Sequence, residues 1–220
     1  MKTHNFEQGS PEWHQIRVGK ITGSSAGRLL TSKAAEYIDQ IVAERIEGMS
    51  DDQFETFESF DMVRGKELEP IARQMYSERT AVEVQQFGFI EMNEFYGYSP
   101  DGLVADGAKF IGAVEIKSPR MKKHIKIIRN DKILAEYLPQ VLAPFICDEN
   151  IEWVDFISFN PDAPEDLIPQ MWVIRATREE FQTEINDLAD AIKKAEIKII
   201  SLENKLKVHA AKTQIASRTN

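Results

Sequence analysis

Asp101 is followed fourteen residues later by Glu115-Ile116-Lys117. Two carboxylates can hold one or two hard divalent cations through oxygen, and the intervening Ile116 carbonyl can add a ligand. On a strand, Glu115 and Lys117 point to the same face. A lysine there can position an attacking water and offset negative charge on a phosphate. Such an arrangement suits phosphodiester hydrolysis. The Glu-x-Lys element alone carries little weight, because a chain of this composition contains about two or three acidic-x-Lys triplets by chance. Three occur: Glu115–Lys117, Glu196–Lys198 and Glu203–Lys205. Only the first lies in an apolar, strand-like frame (Phe110, Ile111, Val114, Ile116), just after the turn Ser99-Pro100-Asp101-Gly102.

Three other stretches carry side chains that chemistry could use. Glu69 lies in Gly65-Lys66-Glu67-Leu68-Glu69-Pro70-Ile71-Ala72-Arg73, where it is either a carboxylate facing a metal or a surface glutamate beside a helix kink. Gln140, in Tyr137-Leu138-Pro139-Gln140-Val141, is a polar amide in an apolar helix and needs a partner. The run from Trp13 to Ser25 mixes apolar anchors with Arg17, Lys20, Thr22 and Ser24. These are phosphate-binding types near a helix start, although the residues by themselves read as a structural N-terminal loop.

The elements that must position these groups follow from periodicity. Residues 1–23 read as irregular, anchored by Trp13, Ile16, Val18 and Ile21. Helical spacing predicts a helix over 34–48 and another over 61–79, with Pro70 kinking or restarting the second. A polar break occupies 49–53. Alternation predicts strands over 82–92, near 102–105 and over 109–117, with short aromatic strand character and a Pro-Asp-Gly turn in 96–102, then 151–159 with an antiparallel neighbour at 170–175. Residues 122–130 are basic, and 133–146 are apolar and helical. Helices, a central sheet and further helices make an α/β or α+β domain. Thr177 and Glu180 form a capping-box sequence. Phe181, Ile185, Leu188, Ile192, Ala195, Ile199, Leu202 and Leu206 then form a heptad seam, about 38 Å long at 1.5 Å per residue. The seam either packs on its own domain or meets a second copy or partner helix.

Composition bounds the function. The 220 residues suit one domain. No apolar run approaches a membrane span, and the first residues carry no apolar signal stretch. A lone cysteine, Cys147, excludes an internal disulfide, a CxxC zinc site and a cysteine-held iron–sulfur cluster. Twenty-seven basic against 36 acidic residues give a net charge of −9, which argues against nonspecific coating of nucleic acid. It leaves room for a metal nuclease with a small basic patch.

Five blocks then occur in one order: Gln8-Gly9…Trp13-His14…Arg17…Gly19…Ile21-Thr22…Ser24; Gly65…Glu69-Pro70…Ala72-Arg73; Ser99-Pro100-Asp101-Gly102; Glu115-Ile116-Lys117; and Tyr137…Gln140-Val141. Together they resemble the phage lambda exonuclease (YqaJ-type viral recombinase) family of the PD-(D/E)XK nuclease superfamily, over roughly residues 6–176. The resemblance implies an α/β fold, a mixed central sheet flanked by helices. It also implies Mg²⁺-dependent (with Mn²⁺ as substitute) 5′-to-3′ degradation of one strand of linear duplex DNA, leaving 3′ tails for recombination. Position by position, Asp101 and Glu115 match the metal-binding carboxylates, Ile116 the carbonyl ligand and Lys117 the catalytic lysine. Glu69 matches a helix glutamate supporting metal and water, and Gln140 a glutamine beside the scissile phosphate. Arg17, Ser24 and Ser99 match groups that hold a 5′-terminal phosphate. Family members often carry a second Gln where Leu142 stands here.

The resemblance further implies double-stranded DNA ends as partner, a homotrimeric ring around DNA, a single-strand annealing protein as possible companion, and action in a bacterial host cytoplasm from a phage or prophage gene. Lys122, Lys123, His124, Lys126 and Arg129 are candidates for lining the channel, an exposed basic helix being the alternative. Residues 1–176 are then the nuclease domain, 177–212 the heptad helix and 213–220 a flexible tail. Other PD-(D/E)XK nucleases, endonucleolytic or 3′-to-5′, and an idle DNA-end-binding adaptor are the competing readings.

Overall fold

The computed structural model describes the backbone of residues 1–50 and 59–218, with side chains as far as Lys212. In chain order the elements are β1 (Lys2–His4), α1 (Pro11–Arg17), β2 (Ile21–Thr22), a 3₁₀ turn (Ala26–Leu30), α2 (Ala34–Glu47) and α3 (Phe60–Thr80). There follow β3 (Phe89–Glu91), β4 (Tyr96–Tyr98), β5 (Gly102–Asp106), β6 (Lys109–Lys117), α4 (Met121–Asn130) and α5 (Leu138–Cys147). The chain continues through β7 (Trp153–Phe159), β8 (Met171–Thr177) and α6 (Gln182–Arg218).

The strands form two four-stranded mixed sheets, ordered β1-β3-β4-β2 and β5-β6-β7-β8, where one central sheet was expected. The boundary between them falls at Ser99-Pro100-Asp101, between β4 and β5. In the second sheet β6 and β7 are parallel, joined by a crossover through α4 and α5, while β5 and β8 flank them antiparallel. Gly112 lets β6 and β7 approach, since a Cβ there would lie 2.3 Å from the Trp153 ring.

Period-two alternation assigns the two faces of this sheet. Val114, Ile116, Ile157, Phe159 and Met171 face α3 and pack with Ala72 and Tyr76. Ala113, Val154, Phe156 and Ala176 face the larger core built with α2, α5 and α6. Glu115 and Lys117 share the Ala113 side by the same alternation. On the α3 side Asp155 is buried and fully engaged: Tyr76 donates to it at 2.6 Å, and Arg175 donates twice, at 2.7 and 2.8 Å.

Several expectations need correction. Residues 1–23 are not irregular: β1, α1 and β2 occupy most of them, and Ser10 caps α1 by accepting from the Trp13 N–H. A short helix and strands of two or three residues offer too few repeats for periodicity to register. The strand expected over 82–92 shrinks to β3, with one isolated bridge between Gln85 and Leu103. The helix expected over 133–146 is α5 alone, its Pro139 in the first turn where the missing N–H costs nothing. The helix α3 runs through Pro70 and does not restart. Part of the polar break at 49–53 lies outside the described residues.

The heptad seam packs on its own domain. Ile185, Leu188, Ile192, Ala195 and Ile199 are buried in the main core, with Phe181 and Leu202 packed at its margin. Thr177 Oγ1 accepts from the Glu180 N–H as the capping sequence requires. The helix stays regular through Arg218, beyond the boundary drawn at 212. Among the described residues no helix is long and apolar enough to cross a membrane.

Candidate active site

The β5–β6 register places Gly102 opposite Val114, so Asp101, one residue before β5, arrives level with Glu115 and Ile116. Its Oδ2 accepts from the Ile116 N–H at 2.6 Å. In a strand the N–H and C=O of one residue leave by the same edge, so the Ile116 carbonyl emerges on the side where the Asp101 carboxylate sits. Glu115 is 4% exposed, and Lys117 Nζ lies 2.6 Å from its Oε1. Apart from that ion pair the buried Oε1 has no partner. Glu69 comes from α3 and takes an ion pair from Arg73, one turn on.

The electrostatics follow from burial. Glu115 is pushed up to about 8, first by desolvation and then by the charge of Asp101, with Lys117 opposing. Burial likewise raises Asp101, against the pull of Lys117 and the Ile116 N–H. Glu69 is raised to about 7 by desolvation and by Asp101, with Arg73 and Lys117 opposing. Lys117 rises above its ordinary range because the two carboxylates outweigh its own desolvation, so it stays charged. A buried set of carboxylates that resists ionisation is short of positive charge.

That shortage, the Glu115 oxygen partnered by Lys117 alone and the hard oxygen donors fit a divalent cation held by Asp101, Glu115 and the Ile116 carbonyl. Among the described residues no three His, Cys, Asp or Glu side chains converge to hold a metal. The groups that could hold a cation are two carboxylates and a carbonyl.

A second cluster gathers at the end of β4. The Arg17 guanidinium stacks on Trp13, 3.8 Å from the ring centroid, and the Trp13 indole N–H donates to Ser99 Oγ at 2.7 Å. Continuing the parallel β2–β4 register sets Ser24 level with Ser99, and Ser24 Oγ lies 3.2 Å from Thr22 Oγ1. Gly23 permits this closeness, since a Cβ there would sit 2.9 Å from that of Tyr98. A cleft of about 1210 Å³ runs between α1 and α3, lined by Gln8, Trp13 and Arg17 on one side and Glu69 and Arg73 on the other, among others. Gln8 donates to the Pro100 carbonyl at 2.9 Å, closing the wall towards Asp101.

Gln140 lies in the first turn of α5, its N–H bonded to the Tyr137 carbonyl at 3.1 Å. The Tyr137 ring is 5.9 Å from Lys117 Nζ, which brings that turn beside the lysine. Leu142 is buried in the core, where a second glutamine would need a partner of its own. The basic run divides. Lys122, Lys126 and Arg129 are exposed along one face of α4, as spacings of four and three require. Lys123 turns to Glu136, at 3.2 Å, and to the Tyr137 ring. His124 leaves the set of surface cations altogether: it is 0% exposed, with ring nitrogens 2.8 Å from Ser158 Oγ and 2.9 Å from the Pro169 carbonyl. Spacing and composition assigned no role to Arg73 or Tyr137, and read Trp13 only as an apolar anchor. The i, i+4 step from Glu69 to Arg73 and from Trp13 to Arg17 was the signal available.

The YqaJ-like viral recombinase domain matches residues 12–148, a span that holds both clusters. The chain belongs to the YqaJ-like viral recombinase family. Among solved structures, this YqaJ-like chain is similar to an alkaline exonuclease from Laribacter hongkongensis, with 30% identity and a TM-score of 0.73 over 90% of this chain and 98% of the other. A structure of that exonuclease in complex with dAMP gives the same values. A phage related exonuclease from Haemophilus somnus 129PT is similar in fold, at 15% identity and a TM-score of 0.59 over 84% of this chain and 96% of the other. Comparison with curated proteins returns no match. The YqaJ-like domain and its exonuclease neighbours support a nuclease of the lambda exonuclease type.

Proposed function

We propose that the chain is a Mg²⁺-dependent 5′-to-3′ exodeoxyribonuclease that digests one strand of linear duplex DNA and leaves 3′ single-stranded tails. The observation that carries the reading is the buried pair Asp101 and Glu115, short of positive charge and flanked by the charged Lys117. Held by Asp101, Glu115 and the Ile116 carbonyl, Mg²⁺ supplies Lewis-acid stabilisation of negative charge at a phosphodiester. The Lys117 ammonium, fixed against Glu115, orients the attacking water and offsets charge on the phosphate oxygens. The Gln140 amide adds a neutral donor beside the same phosphate. Mn²⁺, equally an oxygen-seeking ion, substitutes.

Polarity rests on the second cluster. Arg17 offers a planar fork to a terminal phosphate. Ser99 Oγ already accepts from Trp13, which leaves its own proton to donate, and Ser24 adds another hydroxyl. The dAMP complex of the Laribacter enzyme supports a deoxynucleoside monophosphate as the product class. The working form is a homotrimeric ring in a bacterial cytoplasm, phage or prophage encoded, with Lys122, Lys126 and Arg129 towards the DNA and an annealing protein taking the exposed strand.

Digestion of duplexes labelled at either end, carrying 5′-phosphate or 5′-hydroxyl, tests the activity, its polarity and its metal need. Activity should disappear with EDTA and in Asp101→Ala, Glu115→Ala and Lys117→Ala. Release should start at the 5′ label and run markedly faster from 5′-phosphate, a difference that Arg17→Ala erases. A triple Asp101, Glu115, Lys117 variant that still digests DNA overturns the hydrolytic reading. Equal rates from both kinds of 5′ end in the wild type remove the phosphate-pocket argument.

A further inference from the structure

We propose that Arg73 is the positioning residue of the active site, its guanidinium fork setting Glu69 on α3 against Asp101 at the β4–β5 turn. The proposal rests on the hydrolytic reading above and deepens it. Arg73 is 8% exposed and sits where three segments converge. Its Nε–H donates to the Asp101 carbonyl at 2.7 Å, and its Nη2 donates to Glu69 Oε1. With the Gln86 amide oxygen turned towards it, Nη2 also donates there at 3.1 Å, alongside Nη1. One rigid plane thus ties together α3, the turn that carries Asp101, and the irregular stretch before β3.

The remaining contacts between α3 and the sheet do not supply that register. Most are apolar, Ala72 and Tyr76 against Val114, Ile116 and Ile157, and burial of apolar surface is non-directional, while Arg64 binds Asn160 and Asp162 just past β7, nine residues earlier on α3. The Tyr76–Asp155 bond lies one turn further along α3, on a different strand. Directional control at the acidic end falls to the guanidinium. Holding the Asp101 carbonyl fixes the start of β5, and with it the reach of the Asp101 carboxylate to the Ile116 N–H. A lysine keeps the charge but offers a compact ammonium in place of a planar fork, so Arg73→Lys separates positioning from charge.

The full-length chain is assayed as wild type, Arg73→Lys and Arg73→Ala, with circular dichroism to show folding. Arg73→Lys should lower kcat at least about tenfold while KM for duplex DNA changes little, since support around a metal site is worth about 10–100-fold. Calorimetric titration with Ca²⁺ in the absence of DNA should show affinity weakened by a similar factor. Millimolar guanidinium should restore part of the kcat lost in Arg73→Ala, an effect that a general packing role would not give. Wild-type kcat and Ca²⁺ affinity in a folded Arg73→Lys protein overturn the proposal. If Arg73→Ala does not fold, Gln86→Ala, which removes one exposed anchor of the fork, should weaken Ca²⁺ binding in the same direction, and unchanged binding counts against the idea. A wild type that binds Ca²⁺ but digests no DNA sinks the hydrolytic reading instead, and the titrations still decide on Arg73.

Discussion

Glu115 costs the cation-free protein stability at the pH where it should work. Its carboxyl is raised from an ordinary 4.5 to about 8 by burial and by Asp101, so across that window the folded state holds a proton that the unfolded state has released. Stability must then fall as pH rises from about 4.5 towards 8. Thermal melts in EDTA should show a Tm that declines from pH 5 to pH 8, and Glu115→Gln should flatten the decline. Mg²⁺ should raise Tm far more at pH 8 than at pH 5.5, because the cation must displace protons to bind; an equal rise at both would place the cation elsewhere. Asp101, Glu115 and Lys117 were legible because a turn, a strand and a two-residue step suffice to put them together. Arg73 was not, because its role depends on which side of the sheet α3 packs, and no local spacing encodes that.

At the scale of elements, α6 turns a coiled-coil signature into an internal wall. The same four-and-three spacing serves either use, so the sequence left both open, and the packing partners (α2, α5 and the 3₁₀ turn) lie more than 30 residues away in the chain. Ile192→Ala should therefore behave as a core truncation, costing about 2–5 kcal/mol, measurable by urea denaturation. A chain ending at Arg175 should not fold, since Ile185, Leu188, Ile192, Ala195 and Ile199 would leave the core. Leu206→Ala and Val208→Ala should leave the melt unchanged, because both side chains are exposed. A chain ending at Arg175 that folds normally would show that the seam is dispensable to the domain. His124 repeats the lesson on a smaller scale. A basic run reads as surface charge, yet an α4 that binds the sheet must bury one side, and His124, bonded to Ser158 and Pro169, is buried there together with Ile127.

For the whole molecule, a net charge of −9 must be reconciled with a polyanionic substrate. Lys122, Lys126 and Arg129 concentrate positive charge on one face of α4, so attraction is local while the rest of the surface repels. If each meets one phosphate, replacing all three by Gln should lower the slope of log affinity against log salt by about 2 to 3. Binding measured from 50 to 200 mM salt checks this, and an unchanged slope would move the DNA to another face. The division into two sheets carries a further consequence. Ser99 belongs to the phosphate cluster and Asp101 to the acidic one, and only Pro100 stands between them. Two residues span at most about 7 Å, and proline fixes φ along that step. The boundary is thus a molecular ruler. Under the proposed function, a terminal phosphate seated by Arg17 and Ser99 would bring the first linkage beyond it to the carboxylates, so each cut would release a single nucleotide and the strand would advance by one unit before the next.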